Sequence, residues 1–367
     1  MCKIGLIRPL PVLVLSFLLA GAAAAVGAST PAREPSIQAP EGRRIWDAAR
    51  IPDREKTRME FPDLTRFRDH WYCSFREGEI HGNHPSGRGR IIRSADGEHW
   101  ESVALMTWDG GDVRDPRLSV TAEGWLMLNS SIFFTSGGRR DTPSGDAENG
   151  GVTRQSVTWL SADGRTWTSA FACPSGVNTW RWNVTWHAGM GYSVGYSGKD
   201  ASGTLYRTRD GRNWRTLLPN FFPDGRGNEA ALAFADDGTA VCLLRGGRSN
   251  GMIGVGRAPD YQDWQWRDAR LDWKGDGRLL PVDELWQRSL GGPKIVRLND
   301  GRFLGIARID GRVKLFSVAP DRGVFTKLLD VSGTSYPGLV EHDGHLWITY
   351  GVTDASGIYL TKVPRPR

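Results

Sequence analysis

The chain of 367 residues predicts an all-β fold, a six-bladed β-propeller, on three observations. The first is a seven-residue phrase that recurs as Ser94-Ala95-Asp96-Gly97-Glu98-His99-Trp100, Ser161-Ala162-Asp163-Gly164-Arg165-Thr166-Trp167 and Thr208-Arg209-Asp210-Gly211-Arg212-Asn213-Trp214. A short polar residue, an Asp and a Gly form a tight turn, and the closing Trp pins that turn to a core. Weaker copies run from Ala258-Pro259-Asp260 to Trp264 and from Ala319-Pro320-Asp321 to Phe325. Repeats spaced by roughly 40–70 residues point to stacked blades. The second observation is an interleaved series of hairpin turns between short apolar runs. The third is that no amphipathic helical pattern of useful length follows residue 60, while 46 Gly and 20 Pro supply turns.

Taken in order, residues 1–28 read as a signal peptide. Lys3 and Arg8 precede the apolar run Pro11 to Val26, and small residues around Val26-Gly27-Ala28 offer cleavage before Ser29. That apolar run is short for a membrane span, so the mature protein is expected to be secreted or periplasmic, with no membrane contact after cleavage. Residues 29–40 read as a disordered lead-in and 41–367 as the propeller domain. A strand near Arg44 to Ala49 is expected to close the sixth blade. The hairpin turns fall at Phe67-Arg68-Asp69-His70-Trp71, Thr121 to Trp125, His187 to Gly191, Asp236 to Thr239, Asn299 to Arg302 and His342 to His345, with an Asp-turn after each of the first five.

Most of the 16 tryptophans are expected in the blade cores, the remainder at the mouth as sugar platforms. Cys73, Cys173 and Cys242 follow the leader; Cys73 and Cys242 read as buried small hydrophobes, and no metal-ligand spacing emerges. The net charge is +6, or +4 once Lys3 and Arg8 leave, and the basic residues are scattered. Together with the lack of a recognisable motif this argues against a nucleic-acid partner.

The hairpin map sends one end of every inner strand to the same mouth. Inner strands are expected to begin near Pro62-Asp63, Arg114-Asp115, Arg181, Asn228-Glu229, Lys294 and Ser335-Tyr336. Second strands are expected to end near Arg76-Glu77, Asn129, Tyr196, Arg245, Arg308 and Tyr350. Convergent polar groups at one end of radial hairpins point to a ligand site. Arg76, Glu77, Arg114, Asp115, Arg181, Asn228, Arg245, Lys294 and Arg308 are the substrate-binding candidates.

Three stretches at this mouth resemble the sialidase superfamily, the six-bladed propellers built on Asp-turns of this kind. Asn228-Glu229 followed by Arg245 is similar to the family's basic Glu and one arginine of its carboxylate-binding triad. Thr334-Ser335-Tyr336-Pro337-Gly338-Leu339 resembles the segment carrying its tyrosine nucleophile, and Arg308 or Arg312 lies where another triad arginine precedes that tyrosine. The resemblance implies a nucleophile at Tyr336, a base at Glu229 and Asp-turns facing away from the site. It departs at Glu60-Phe61-Pro62, where the family opens with Arg-Ile-Pro, leaving Arg76 to supply positive charge. It departs again in the loop Arg76 to His84, which holds no Asp and passes the proton role to His81, with His84, Glu77 and Glu79 as alternatives.

The implied function is an exported sialidase-like glycoside hydrolase acting on acidic or complex glycans, with an anionic glycan as partner and a monomeric state. A uronate-polysaccharide lyase and a non-catalytic glycan- or protein-binding propeller are the alternatives. A phenol ordinarily ionising near pH 10 needs a neighbouring carboxylate to take its proton, and arginines suit an anionic substrate. No cofactor is called for; channel carbonyls can hold Ca²⁺ without leaving a sequence mark. Arg181 and Trp186 are expected either to line a sugar subsite or to pack between blades.

Overall fold

The computed structural model describes residues 38–51, 57–135, 152–197, 202–225, 227–246, 251–272, 279 and 290–366. The leader and nearly all of the expected lead-in lie outside the described residues. The described strands form six sheets, each an antiparallel meander. Their inner strands are Arg58–Phe67, Gly111–Val120, Trp180–His187, Ala230–Phe234, Gly291–Arg297 and Gly338–His342. Each touches the next and the last touches the first, so they ring a central channel. The sixth sheet is completed by Arg43–Asp47, which pairs antiparallel with Gly357–Pro364, within a residue or two of the expected closing strand. The fifth blade gains an outer strand, Arg270–Asp272, laid parallel on Val324–Val331. All six hairpin turns fall where the sequence places them. The described helical residues are three short 3-10 turns, and no helix among the described residues is long and apolar enough to cross a membrane.

Burial follows the radial plan. Six apolar clusters occupy the six junctions between neighbouring blades. One, for example, joins Trp46, Trp71, Phe75 and Trp100 across blades 6 and 1, and another joins Leu243, Ile253, Phe303 and Phe316 across blades 4 and 5. A seventh, small cluster of Phe61, Trp182 and Tyr336 sits at the channel mouth. Cys73 and Cys242 are fully buried, as expected of small hydrophobes, and Cys173 is half-buried.

The Asp-turns are held by their own side chains. Asp96 Oδ1 accepts from the backbone N–H groups of Glu98 and His99 at 2.7 and 2.8 Å, and Trp100 Nε1 donates to Gly97 O at 3.0 Å. Asp163 and Asp210 accept the same two amides of their own turns, and Trp214 Nε1 repeats the bond to its Gly carbonyl, whereas Trp167 Nε1 does not. The His99 ring, followed by the backbone amides, holds the Asp96 carboxyl below its usual range, and the backbone amides do the same for Asp163. Gly97, Gly164 and Gly211 take positive φ, and a side chain there would run into Trp347, Tyr72 and Met127 of the preceding blade. Every Gly of the strong repeat thus fixes a turn and a blade-to-blade contact at once.

The inner strands depart from the expected pattern at the mouth. In four of them the ladder slips across two residues: Phe61-Pro62, Asp115-Pro116, Trp182-Asn183 and Gly292-Pro293. Phe61, Asp115 and Gly292 take positive φ at these bulges. A bulge re-aims side chains, and Pro fits one because its missing N–H costs no ladder bond. Beyond the bulges the channel is closed by polar groups. Lys294 Nζ meets Asp63 at 2.7 Å, Leu118 N donates to Asp63 Oδ2, and Asn183 Nδ2 donates to the carbonyls of Ala230 and Pro293.

Candidate active site

The fourth blade supplies the centre of the site. Ala230 pairs with Leu244 in its inner hairpin, and Glu229 and Arg245 continue that register one step toward the mouth, where Arg245 N donates to Glu229 O. Their separation of sixteen residues is therefore a cross-strand pairing. Arg245 Nη1 donates to Glu229 Oε1 at 2.7 Å and to the Tyr336 hydroxyl at 2.8 Å, while Tyr336 donates to the same Oε1 at 2.7 Å. The backbone N–H of Gly292 donates to Glu229 Oε2 at 2.7 Å. Gly292 is held at φ +57°, and a Cβ there would collide with the Tyr336 ring, so glycine alone lets this amide reach the carboxylate. Asn228 Oδ1 accepts from Glu229 N at 2.6 Å and fixes the approach.

The electrostatics of the triad follow from burial. Tyr336 is 7% exposed. Burial, reinforced by the Glu229 charge, pushes its phenol above the usual range against the pull of Arg245 and Arg308. It therefore keeps its proton at neutral pH, and only transfer to Glu229 can make it nucleophilic. Arg308 lies over the Tyr336 ring at 4.8 Å, and Phe61 packs on the ring with centroids 5.1 Å apart.

Beside the triad opens a cavity of about 560 Å³ lined by Arg58, Glu60, Phe61, His81, Arg308, Asp310 and Ser335, among others. Phe61 and Arg308 form part of its wall and also cover Tyr336, which links cavity and triad. Glu60 Oε1 contacts His81 Nδ1 at 2.8 Å and accepts from Arg58 at 3.0 Å. Burial raises the Glu60 carboxyl, but His81 and Arg58 outweigh it and hold the group below its usual value. Of the two histidines in the loop, His81 lines the cavity. His84 turns to Ser86, at 2.8 Å, and its backbone N–H donates to Asp112.

Several expected site residues serve the scaffold instead. Arg76 is fully buried, gives a two-pronged pair of 2.8 Å bonds to Asp112 and donates to the carbonyls of Ile80 and Gly82, so it has nothing left for a substrate. Glu77 is also fully buried and accepts two bonds from Arg90. Arg181 turns outward between blades 2 and 3, its guanidinium 4.9 Å from the Trp214 ring and bonded to Ser156 O. Trp186 packs in the same junction and donates to Ser119 Oγ. Lys294 closes the channel with Asp63. Arg114 donates to His81 O and Asn83 Oδ1 and lies 5.3 Å from the Phe61 ring, so it positions the His81 loop. Arg312 sits exposed at the turn paired with Ile309, which leaves Arg308 as the arginine at the site.

Asp115 is 2% exposed, at φ +46°, with no hydrogen-bond partner for either carboxylate oxygen among the described residues. Burial lifts it to about 6, with Glu229 adding to the rise against Arg114 and Arg117. The residues that sequence reasoning missed are Asp112, which captures Arg76, and Arg58 and Phe61, which line the cavity. The Phe61-Pro62 dipeptide inside a strand was the available signal for the bulge that presents them.

No family model matches this chain, and no curated protein matches it either. Solved structures do. A protein of unknown function from Dyadobacter fermentans DSM 18053 is 16% identical, covers 90% of this chain and 100% of its own, and has a TM-score of 0.68. The Hadza microbial sialidase Hz136 is 16% identical over 84% of this chain and 66% of its own, with a TM-score of 0.62. The GH93 α-L-arabinofuranosidase of Fusarium graminearum is 13% identical over 89% and 98%, with a TM-score of 0.64. At these identities the likeness is one of fold, and it bears out the six-bladed, sialidase-like propeller expected from the sequence.

Proposed function

We propose that this chain is an exported glycoside hydrolase that works through Tyr336. The observation that carries the reading is the triad in which one Glu229 oxygen takes both the Tyr336 hydroxyl and an Arg245 N–H within 2.8 Å. The Tyr336 ring packs with Phe61 and Trp182, but that packing does not call for a carboxylate on its hydroxyl, whereas a nucleophile that must shed its proton on attack needs one. Tyr336 oxygen attacks the anomeric carbon while its proton passes to Glu229. His81, steadied by Glu60, gives a proton to the leaving oxygen. Water then gives a proton to His81 as it attacks the anomeric carbon, and the departing Tyr336 oxygen takes its proton back from Glu229 as the sugar is released. The names of two structural neighbours, a sialidase and an arabinofuranosidase, support a glycosidase on this scaffold.

The lyase alternative asks for a cationic clamp on a uronate carboxylate, and Arg76 is already committed to Asp112. A release assay on a glycan panel, with wild type and Tyr336→Phe, tests the proposal. Wild type is expected to release intact sugar, and the variant, which lacks the attacking oxygen, to lose that release. A product short of one water would replace the hydrolase with a lyase. Binding without turnover, unchanged in Glu229→Gln, would make the chain a binding module.

A further inference from the structure

We infer that Arg245 is a catalytic residue, the counter-ion of the Tyr336 oxygen while that oxygen gains or loses its bond to the sugar, and not a clamp for a substrate carboxylate. This rests on the hydrolase reading and adds a member to its machinery. The observation that carries it is a triangle of short bonds. One nitrogen, Arg245 Nη1, donates to Glu229 Oε1 at 2.7 Å and to the Tyr336 oxygen at 2.8 Å, and those two oxygens are themselves 2.7 Å apart. The triangle is held from both sides. Arg245 N donates to Glu229 O across the hairpin, and Gly292 N–H takes Oε2, which leaves Oε1 turned to the phenol.

In the resting site the negative charge sits on Glu229, since the buried phenol keeps its proton. On attack the Tyr336 oxygen gives an electron pair to the anomeric carbon and its proton passes to Oε1. The leaving oxygen departs with its bonding pair and takes the His81 proton. In the second half the bond from the sugar to Tyr336 breaks, its pair returns to the phenol oxygen, and the proton comes back from Oε1. Charge thus moves between two oxygens that Nη1 already touches, so the guanidinium follows it without moving. A donor in place before charge develops is what lowers such a barrier. The resemblance to sialidases implies a carboxylate clamp at Arg245 instead, and a clamp has to face the cavity. Among the described residues the arginines lining it are Arg58 and Arg308, not Arg245. Arg245 Nε is buried, which closes that edge of the guanidinium to a ligand.

Arg245→Ala and Arg245→Lys, assayed on the panel glycan that the wild type hydrolyses, test the inference. Arg245→Ala should lower kcat by about 10²–10³-fold, the scale of a lost donor to a developing oxyanion, with KM little changed. Arg245→Lys should recover part of that loss, as should guanidinium added to Arg245→Ala below its denaturing concentration. A raised KM with kcat retained would make Arg245 a substrate clamp and overturn the inference. A lowered unfolding midpoint, with no recovery from lysine or guanidinium, would make its role structural and overturn it too. If the wild type releases no sugar from any glycan, the hydrolase reading goes, and the reactivity of the Tyr336 oxygen decides whether Arg245 supports charge on it. N-acetylimidazole, read by peptide mapping, should then acetylate Tyr336 at least tenfold faster in wild type than in Arg245→Ala, although the substitution opens the site (about one pKa unit of phenol acidity,). Equal or faster labelling in the variant, or none in either protein, overturns the inference by itself.

Discussion

In the first and fourth blades a glutamate and an arginine sixteen residues apart face each other across the inner hairpin, Glu60 with Arg76 and Glu229 with Arg245. The two pairs have opposite fates. In blade 4 the ion pair closes at 2.7 Å, and its arginine remains partly exposed and also holds Tyr336. In blade 1 the nearest approach is 3.5 Å, because Asp112 of the neighbouring blade takes the guanidinium with two hydrogen bonds and seals it from solvent. Glu60, released from Arg76, turns its other oxygen to Arg58 and His81. One foreign carboxylate thus converts a site pair into a structural brace and frees an acid to shape the cavity.

Substitutions should separate the two hairpins by kind of effect. The largest change in activity is expected in blade 4, where Glu229→Gln removes the acceptor of the Tyr336 proton. Its sugar-release rate should fall by about 10³-fold while its unfolding midpoint stays near wild type; a rate within tenfold of wild type would deny Glu229 the base role. The largest change in stability is expected in blade 1. Asp112→Ala leaves the buried Arg76 charge with only Glu60, at 3.5 Å, to balance it, and should cost about 3 kcal/mol in denaturant unfolding. An Asp112→Ala protein as stable as wild type would show that the brace is dispensable.

Asp115 sharpens the contrast through pH. Its folded carboxyl is raised to about 6 from an ordinary value of 3.8, so between those limits the folded chain holds a proton that the unfolded chain has released. Its stabilising effect is thus present at low pH and falls away as pH rises through about 6. Unfolding of the wild type at pH 4 and pH 7 should show this loss, on the order of 2 kcal/mol, and Asp115→Asn should abolish it. An identical pH slope in the two proteins would mean that Asp115 titrates normally.

The smallest effect concerns thiol labelling. Burial raises the Cys173 thiol, but Arg181, Ser175 and the Trp214 backbone outweigh it and bring the group below its ordinary value. Burial pushes Cys73 and Cys242 up. Iodoacetamide on the native protein, read by peptide mapping, should mark Cys173 while sparing Cys73 and Cys242. Equal labelling of all three would refute the burial pattern.

Much of the fold was legible because its signals are local. Asp-Gly turns, a closing Trp and short alternating runs each fix a few residues without reference to the rest of the chain. The Glu229 and Arg245 pair was legible for a related reason: once the hairpin turn is placed, the register sets which residues face each other. Arg76, Glu77 and Arg181 were misread because position at a strand end does not say which way a side chain points. That direction depends on the bulges and on the neighbouring blade. Asp112 lies 36 residues from Arg76, and nothing within either hairpin announces their meeting.

The sequence by itself therefore determined a six-bladed ring, the turn of every inner hairpin and the membership of Glu229, Arg245 and Tyr336 in one mouth. Turn chemistry and strand register suffice for those, since both act over a few residues. The tertiary structure decided which charges are spent on each other and which face the cavity. Those choices are made largely where blades meet, between groups brought together only when neighbouring blades pack, and burial there makes each pairing exclusive.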